Sequence, residues 1–131
     1  MRQGIKSLLG PKPLLGIAIT YTLLITAALL TPITGAPKIE IPFADKMVHL
    51  IINAGLFVVW ASYVFSGKTK TTKTYTLPLL FLCTLLYGIL IEVIQGSFIP
   101  TRGADFFDVV ANVCGLILGF FAVKLTKKFI Y

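Results

Sequence analysis

Charge is scarce in this chain of 131 residues: Asp, Glu, Lys and Arg together make up 13%. Five of them are acids, and histidine occurs once. A soluble domain of this length could not hide the 56% of residues that are hydrophobic, and so little charge would not cover its surface. The mean hydropathy of +0.90 points to a membrane class. Cysteine is nearly absent too. Cys83 and Cys114 lie inside apolar runs, with no CxxC partner and no metal-ligand spacing, so they read as free thiols packed as small apolar groups. The net charge of +7 does not imply nucleic acid, because no basic patch is interleaved with exposed aromatics. The basic residues instead cluster between apolar runs, as topology determinants do. There is no internal repeat and no low-complexity segment, and residues 1–131 form one domain.

What is present is a set of four apolar runs, predicted as helices at about 14–33, 47–65, 77–95 and 106–125. Each is about 20 residues, the length a helix needs to cross about 30 Å of hydrocarbon at 1.5 Å per residue. Pro13 and Pro78 fall where a first helical turn would begin, and a missing N–H costs nothing there. Pro32, Pro37, Pro42 and Pro100 fall at ends or in connections, and none interrupts a helix centre. Thr34-Gly35-Ala36 weakly resembles a signal cleavage site, but the first run is longer than a typical signal core and Pro37 would follow the cut. It is read as a retained helix. The expected fold is all-α: an integral membrane four-helix bundle.

Lysine and arginine orient it. The N-terminus, the loop between runs two and three and the C-terminus carry Arg2, Lys6, Lys12, Lys68, Lys70, Lys73, Lys124, Lys127 and Lys128. The other side carries Lys38, Lys46 and Arg102. This bias predicts both termini in the cytoplasm. All five acids (Glu40, Asp45, Glu92, Asp105 and Asp108) then fall toward the outer side.

Polar residues in membrane helices are costly, so their placement is informative. Asp45, His49 and Asn53 are spaced i, i+4, i+8, with Lys46 beside them. Gly88, Glu92 and Gln95 share a face near the end of the third run. Asp105, Asp108, Asn112, Gly115 and Gly119 make one stripe down the fourth. The three faces meet at the outer ends of their helices, which predicts a polar pocket there. Plainer roles exist for most members. Asp45 and Asp105 could cap helix N-termini, with Asp108 completing a capping arrangement. His49 could bond Asp45 or Asn53, and Asn53 and Asn112 could be interhelical glue. Ala111, Gly115 and Gly119 form a small-xxx-small ridge suited to close helix packing. Glu92 has no such explanation. It lies inside an apolar run near a helix C-terminus, where the dipole opposes negative charge. It needs a partner, a proton or a ligand, and Arg102 is the candidate partner.

These residues, taken in order, resemble the VanZ-like family of bacterial membrane proteins. The likeness rests on Asp45-Lys46-x-x-His49, Glu92-x-x-Gln95, Arg102, Asp105-x-x-Asp108, Asn112 and Gly115-x-x-x-Gly119, and covers about Asp45 to Gly119. The family is named for a protein associated with low-level teicoplanin resistance. The resemblance implies a cell-envelope setting in the bacterial cytoplasmic membrane. It carries the family's recurrent polar residues onto Asp45, Lys46, His49, Glu92, Gln95, Arg102, Asp105, Asp108 and Asn112.

Three functions compete. In the first, the polar end binds a lipid head group, a lipid-linked wall precursor or a glycopeptide antibiotic. Arg102 and Lys46 would meet phosphate or carboxylate, and Glu92 and Gln95 would take hydrogen-bond donors. The second is a membrane-embedded enzyme on a lipid-linked substrate, with His49, Glu92, Asp105 and Asp108 as the catalytic candidates. In a metal-dependent version of this enzyme, Glu92 would be a ligand alongside Asp105 and Asp108. No Ser or Cys nucleophile lies near the cluster and no HExxH-type ligand spacing occurs, so the sequence assigns neither a metal nor a cofactor. The third is a structural scaffold. The bilayer is the expected partner in all three.

Overall fold

The computed structural model describes residues 10–32, 34–35, 43–67 and 75–130, with side chains to residue 126. Four helices follow one another: α1 Pro11–Leu30, α2 Ala44–Ser66, α3 Thr76–Phe98 and α4 Phe106–Ile130. All four are long and apolar enough to cross a membrane, and no strand occurs among the described residues. Several predicted topology charges (Arg2, Lys6, Lys38, Glu40, Lys68, Lys70 and Lys73) lie outside the described residues, as do the side chains of Lys127 and Lys128.

The helix limits differ from the predicted ones for local reasons. α1 begins at Pro11 and ends at Leu30, because Pro32 pushes Thr31 to an extended ψ of 126°. α2 starts at Ala44 and takes Asp45 and Lys46 into its first turn. It is entered through Phe43, whose φ of 65° is unusual for a bulky residue. α3 runs on to Phe98, so Glu92 sits deeper in its helix than the apolar run implied.

The seam between α2 and α4 is the tightest in the bundle. A Cβ added at Gly115 would collide with the Leu50 carbonyl oxygen, and one at Gly119 would stand 2.9 Å from the Ala54 oxygen and 3.0 Å from Phe57 Cβ. The predicted small-residue ridge therefore lets two backbones touch. Leu50 and Ala54 advance together with Gly115 and Gly119, so the two helices run parallel. α1 and α3 run the other way. They are tied in by hydrogen bonds that matter more where water is absent. Tyr21 Oη donates to the Ile52 carbonyl (2.9 Å), and Trp60 Nε1 donates to Thr22 Oγ1 (3.0 Å). Thr26 gives its one proton to the Thr22 carbonyl, so Tyr87 donates to Thr26 Oγ1 at 2.7 Å.

Below the polar end lies an apolar core of Phe57, Ala61, Leu116 and Val123, with Phe81 and Phe120 edge-on or tilted about Phe57 at 6.2 and 6.0 Å. The outer surface is lined with exposed Leu23, Leu24, Ile51, Leu90 and Phe121, as a lipid-facing surface should be. Cys83 and Cys114 are on this exposed surface and not packed inside; Cys83 lines an open groove with Thr22, Leu56 and Trp60.

Candidate functional site

The ends of the helices that carry the polar faces gather at one end of the bundle. His49, Asn53, Glu92, Gln95, Asp108 and Asn112 are all buried there, none more than 4% exposed. The expected open pocket is thus a packed cluster with an accessible rim. The rim is made by the side chains of Asp45, Asp105 and Lys46, which are 60%, 42% and 27% exposed.

At the centre is an amide pair. Asn53 Nδ2 donates to Asn112 Oδ1 at 2.6 Å and to the His49 carbonyl at 2.9 Å. Gly88 leaves room for the pair: a Cβ there would be 3.3 Å from Asn112 Nδ2 and 3.5 Å from Asn53 Oδ1. His49 Nδ1 lies 3.1 Å from the same Asn112 oxygen. That oxygen can only accept, so Nδ1 carries the ring proton and Nε2 keeps its lone pair. Nε2 faces Asp45 Oδ1 at 3.9 Å, too far for a hydrogen bond.

Glu92 is the unsatisfied member. Its Oε1 stands 3.2 Å from His49 Nδ1, but that N–H is directed to Asn112. Neither carboxylate oxygen has a hydrogen-bond partner among the described residues, and Asn53 Oδ1 is likewise unpaired there. Buried polar atoms without partners are rare and costly.

The surroundings of the cluster differ from four expectations. Arg102 does not pair with Glu92. Its Nε and Nη2 reach the carbonyls of Thr31 (3.2 Å) and Ala28 (3.4 Å) at the end of α1. Gln95 Nε2 donates to Leu29 O at 2.7 Å. Both satisfy terminal carbonyls of a helix that has no basic residue in its own last turn. Lys46 is equally committed, at 2.7 Å from Asp105 Oδ2 and 3.0 Å from Asp108 Oδ1. Asp45 is not a cap, since Phe43 holds the cap position and no side chain bonds there. Asp105 is one: its Oδ1 accepts from Phe107 N at 2.9 Å. The Lys46 ammonium, and then that N–H, hold the Asp105 carboxyl below its ordinary value.

Asp45, His49 and Asp108 bring their ligand atoms within 4.8 Å of one another. This grouping was not legible as a metal motif, because two members come from α2 and one from α4. The i, i+4 pair Asp45–His49 was the visible half. The arrangement can present one imidazole nitrogen and two carboxylates to a ligand at the end of the bundle.

The family model described as VanZ/LLP1 matches residues 13–127. Neither the curated proteins nor the solved structures contain a match to the chain.

Proposed function

The chain belongs to the VanZ/LLP1 family, and from that premise we propose that it binds the head group of an amphiphile at the polar end of its bundle. It is a multi-pass membrane protein. The excess of Lys and Arg at the other end supports an outward-facing polar end in the bacterial cytoplasmic membrane. The ligands to consider are a lipid head group, a lipid-linked wall precursor and a glycopeptide antibiotic, and antibiotic tolerance would follow from capturing the last.

The observation that carries this reading is His49. It is 2% exposed, its Nδ1 is held by Asn112, and its Nε2 is aimed unpaired at the acidic rim. A histidine serving only as glue would use both nitrogens. In this reading Asp45, His49 and Asp108 touch the ligand, while Asn112 holds the imidazole, Asn53 holds Asn112, and Glu92 faces the ring at 3.2 Å. Lys46 is neutralised by two carboxylates and Arg102 is turned to carbonyls at the end of α1, so this reading does not assign the anion to either.

The test is to purify the protein from bacterial membranes and identify retained lipids by native mass spectrometry. Defined lipids, a lipid-linked precursor and a glycopeptide are then added back. Retention of one class by the wild type and its loss in His49→Gln is the expected result. Equal retention by both proteins contradicts the reading.

The same nitrogen favours a second reading, a membrane-embedded enzyme with Nε2 as general base. Turnover of a lipid-linked phosphate that disappears in His49→Gln would support it, and binding without turnover would exclude it for that substrate.

A further inference from the structure

We propose that Asp45, His49 and Asp108 form a binding site for a divalent transition ion of the zinc or manganese class. Their ligand atoms lie within 4.8 Å of one another. Ligands about 2.0–2.2 Å from a zinc ion stand roughly 3.4 Å apart in a tetrahedral site, so a small closure completes the set. Asp45 supplies it. This side chain is 60% exposed, lies one turn before His49 and makes no hydrogen bond among the described residues.

An acidic cluster alone would not make a site. The second observation is the buried imidazole aimed into it. His49 Nε2 has no hydrogen bond, and Nδ1–H is held from behind by Asn112 Oδ1 at 3.1 Å. A metal-binding histidine is ordinarily held in this way, with a carbonyl or carboxylate on its other ring nitrogen. Glu92 Oε1, 3.2 Å from the same Nδ1, then gains a purpose. A cation on Nε2 makes the ring more positive, and the ring is the nearest group able to carry positive charge within 4 Å of that carboxylate among the described residues. Lys46 takes Oδ1 of Asp108 and leaves Oδ2 for the ion. One imidazole with two carboxylates disfavours calcium and magnesium, which prefer all-oxygen sites, and the absence of thiolate disfavours cuprous copper.

Three protein ligands leave a coordination position open. Lys46 is already neutralised by two carboxylates and Arg102 is turned to the α1 carbonyls, so beside His49 the ion would supply the positive charge that an anionic oxygen of a head group, phosphate or carboxylate, requires. This last step rests on the binding function proposed above; the metal site itself does not.

The test uses the full chain in detergent, stripped with a chelator and without added lipid. It is titrated with zinc and manganese by calorimetry and with cobalt as a spectroscopic probe. One ion per chain is expected. Asp45→Asn disturbs no hydrogen bond among the described residues and should weaken binding at least about tenfold, the lower end of what losing a mere supporting partner costs. Arg102→Ala should leave it unchanged. Absence of stoichiometric binding in the wild type, or equal binding by Asp45→Asn, overturns the site. A chelator that strips the ion but leaves a bound anionic lipid in place overturns the bridging step. Failure of metal binding leaves amphiphile capture standing, and intact metal binding without lipid retention counts against the capture reading alone.

Discussion

The two stretches of the α2–α4 seam use the same pair of parallel helices in different ways. Toward the apolar half, Gly115 and Gly119 let the backbones meet at Leu50 and Ala54, and Phe57 and Leu116 fill the space below. Toward the polar end, Lys46, His49 and Asn53 face Asp105, Asp108 and Asn112 through side-chain bonds. The first stretch buries Leu56, Phe57, Ala61 and Leu116 almost completely. The second leaves Glu92, Asn53 Oδ1 and His49 Nε2 without hydrogen bonds. A bundle that needed polar groups only as glue would not leave three of them unused at one end. The difference separates what holds the helices together from what is available to a ligand.

The comparison can be broken most forcefully at Gly115. Gly115→Val places carbon on the Leu50 carbonyl, and a shift of backbone must follow. Overpacking of this kind costs about 3 kcal/mol or more here, and the melting temperature in detergent should fall sharply. A wild-type melt would mean that the backbones do not touch.

Next is Asn112→Leu, which strands the Asn53 amide and the His49 N–H together. The loss should be about 2–4 kcal/mol, from two buried donors left without an acceptor. Chemical denaturation with and without the substitution reads it.

Gln95→Ala sharpens the division. It removes the 2.7 Å bond to Leu29 O and should cost about 1–2 kcal/mol, fraying the end of α1. Ligand or metal binding should be untouched. A binding defect would bring Gln95 back into the site where the sequence placed it.

The smallest effect concerns acid. The Asp105 carboxyl is held low by Lys46 and by Phe107 N–H, so its contribution to stability is fully present above the ordinary aspartate range near pH 4. It is lost as pH falls through the lowered value. Asp105→Asn should therefore flatten the acid side of a melting-temperature profile and leave the neutral side nearly parallel.

Much of this layout was legible beforehand because membrane spans and helical faces are local patterns. Four runs of sufficient length, the Gly115–Gly119 ridge and the three polar stripes all follow from spacing within a single helix. Residues meeting across long separations were not. Arg102 reads as the partner of Glu92, since both are charged and near in sequence. The folded chain gives it instead to α1 carbonyls 71 and 74 positions away. Lys46 reads as a free cation for the same reason, yet two acids from the start of α4 claim it. The cysteines read as buried because an apolar run does not say which of its faces meets lipid. Helix ends were blurred by three residues at the start of α2, where Asp45 and Lys46 lower the local hydropathy while suiting a first helical turn, and by five at the end of α4, where Lys127 and Lys128 do the same in a last turn.

The central claim is that the polar end keeps groups for a ligand beyond those that hold it together, and Glu92→Gln tests it most directly. Melting temperature without ligand and binding of the retained lipid or of zinc would be measured on the same preparation. The account predicts a melt within about 1 kcal/mol of wild type, because Glu92 makes no hydrogen bond to lose, together with binding weakened about 10–100-fold. A large drop in melting temperature with binding intact would contradict it and make Glu92 a structural residue.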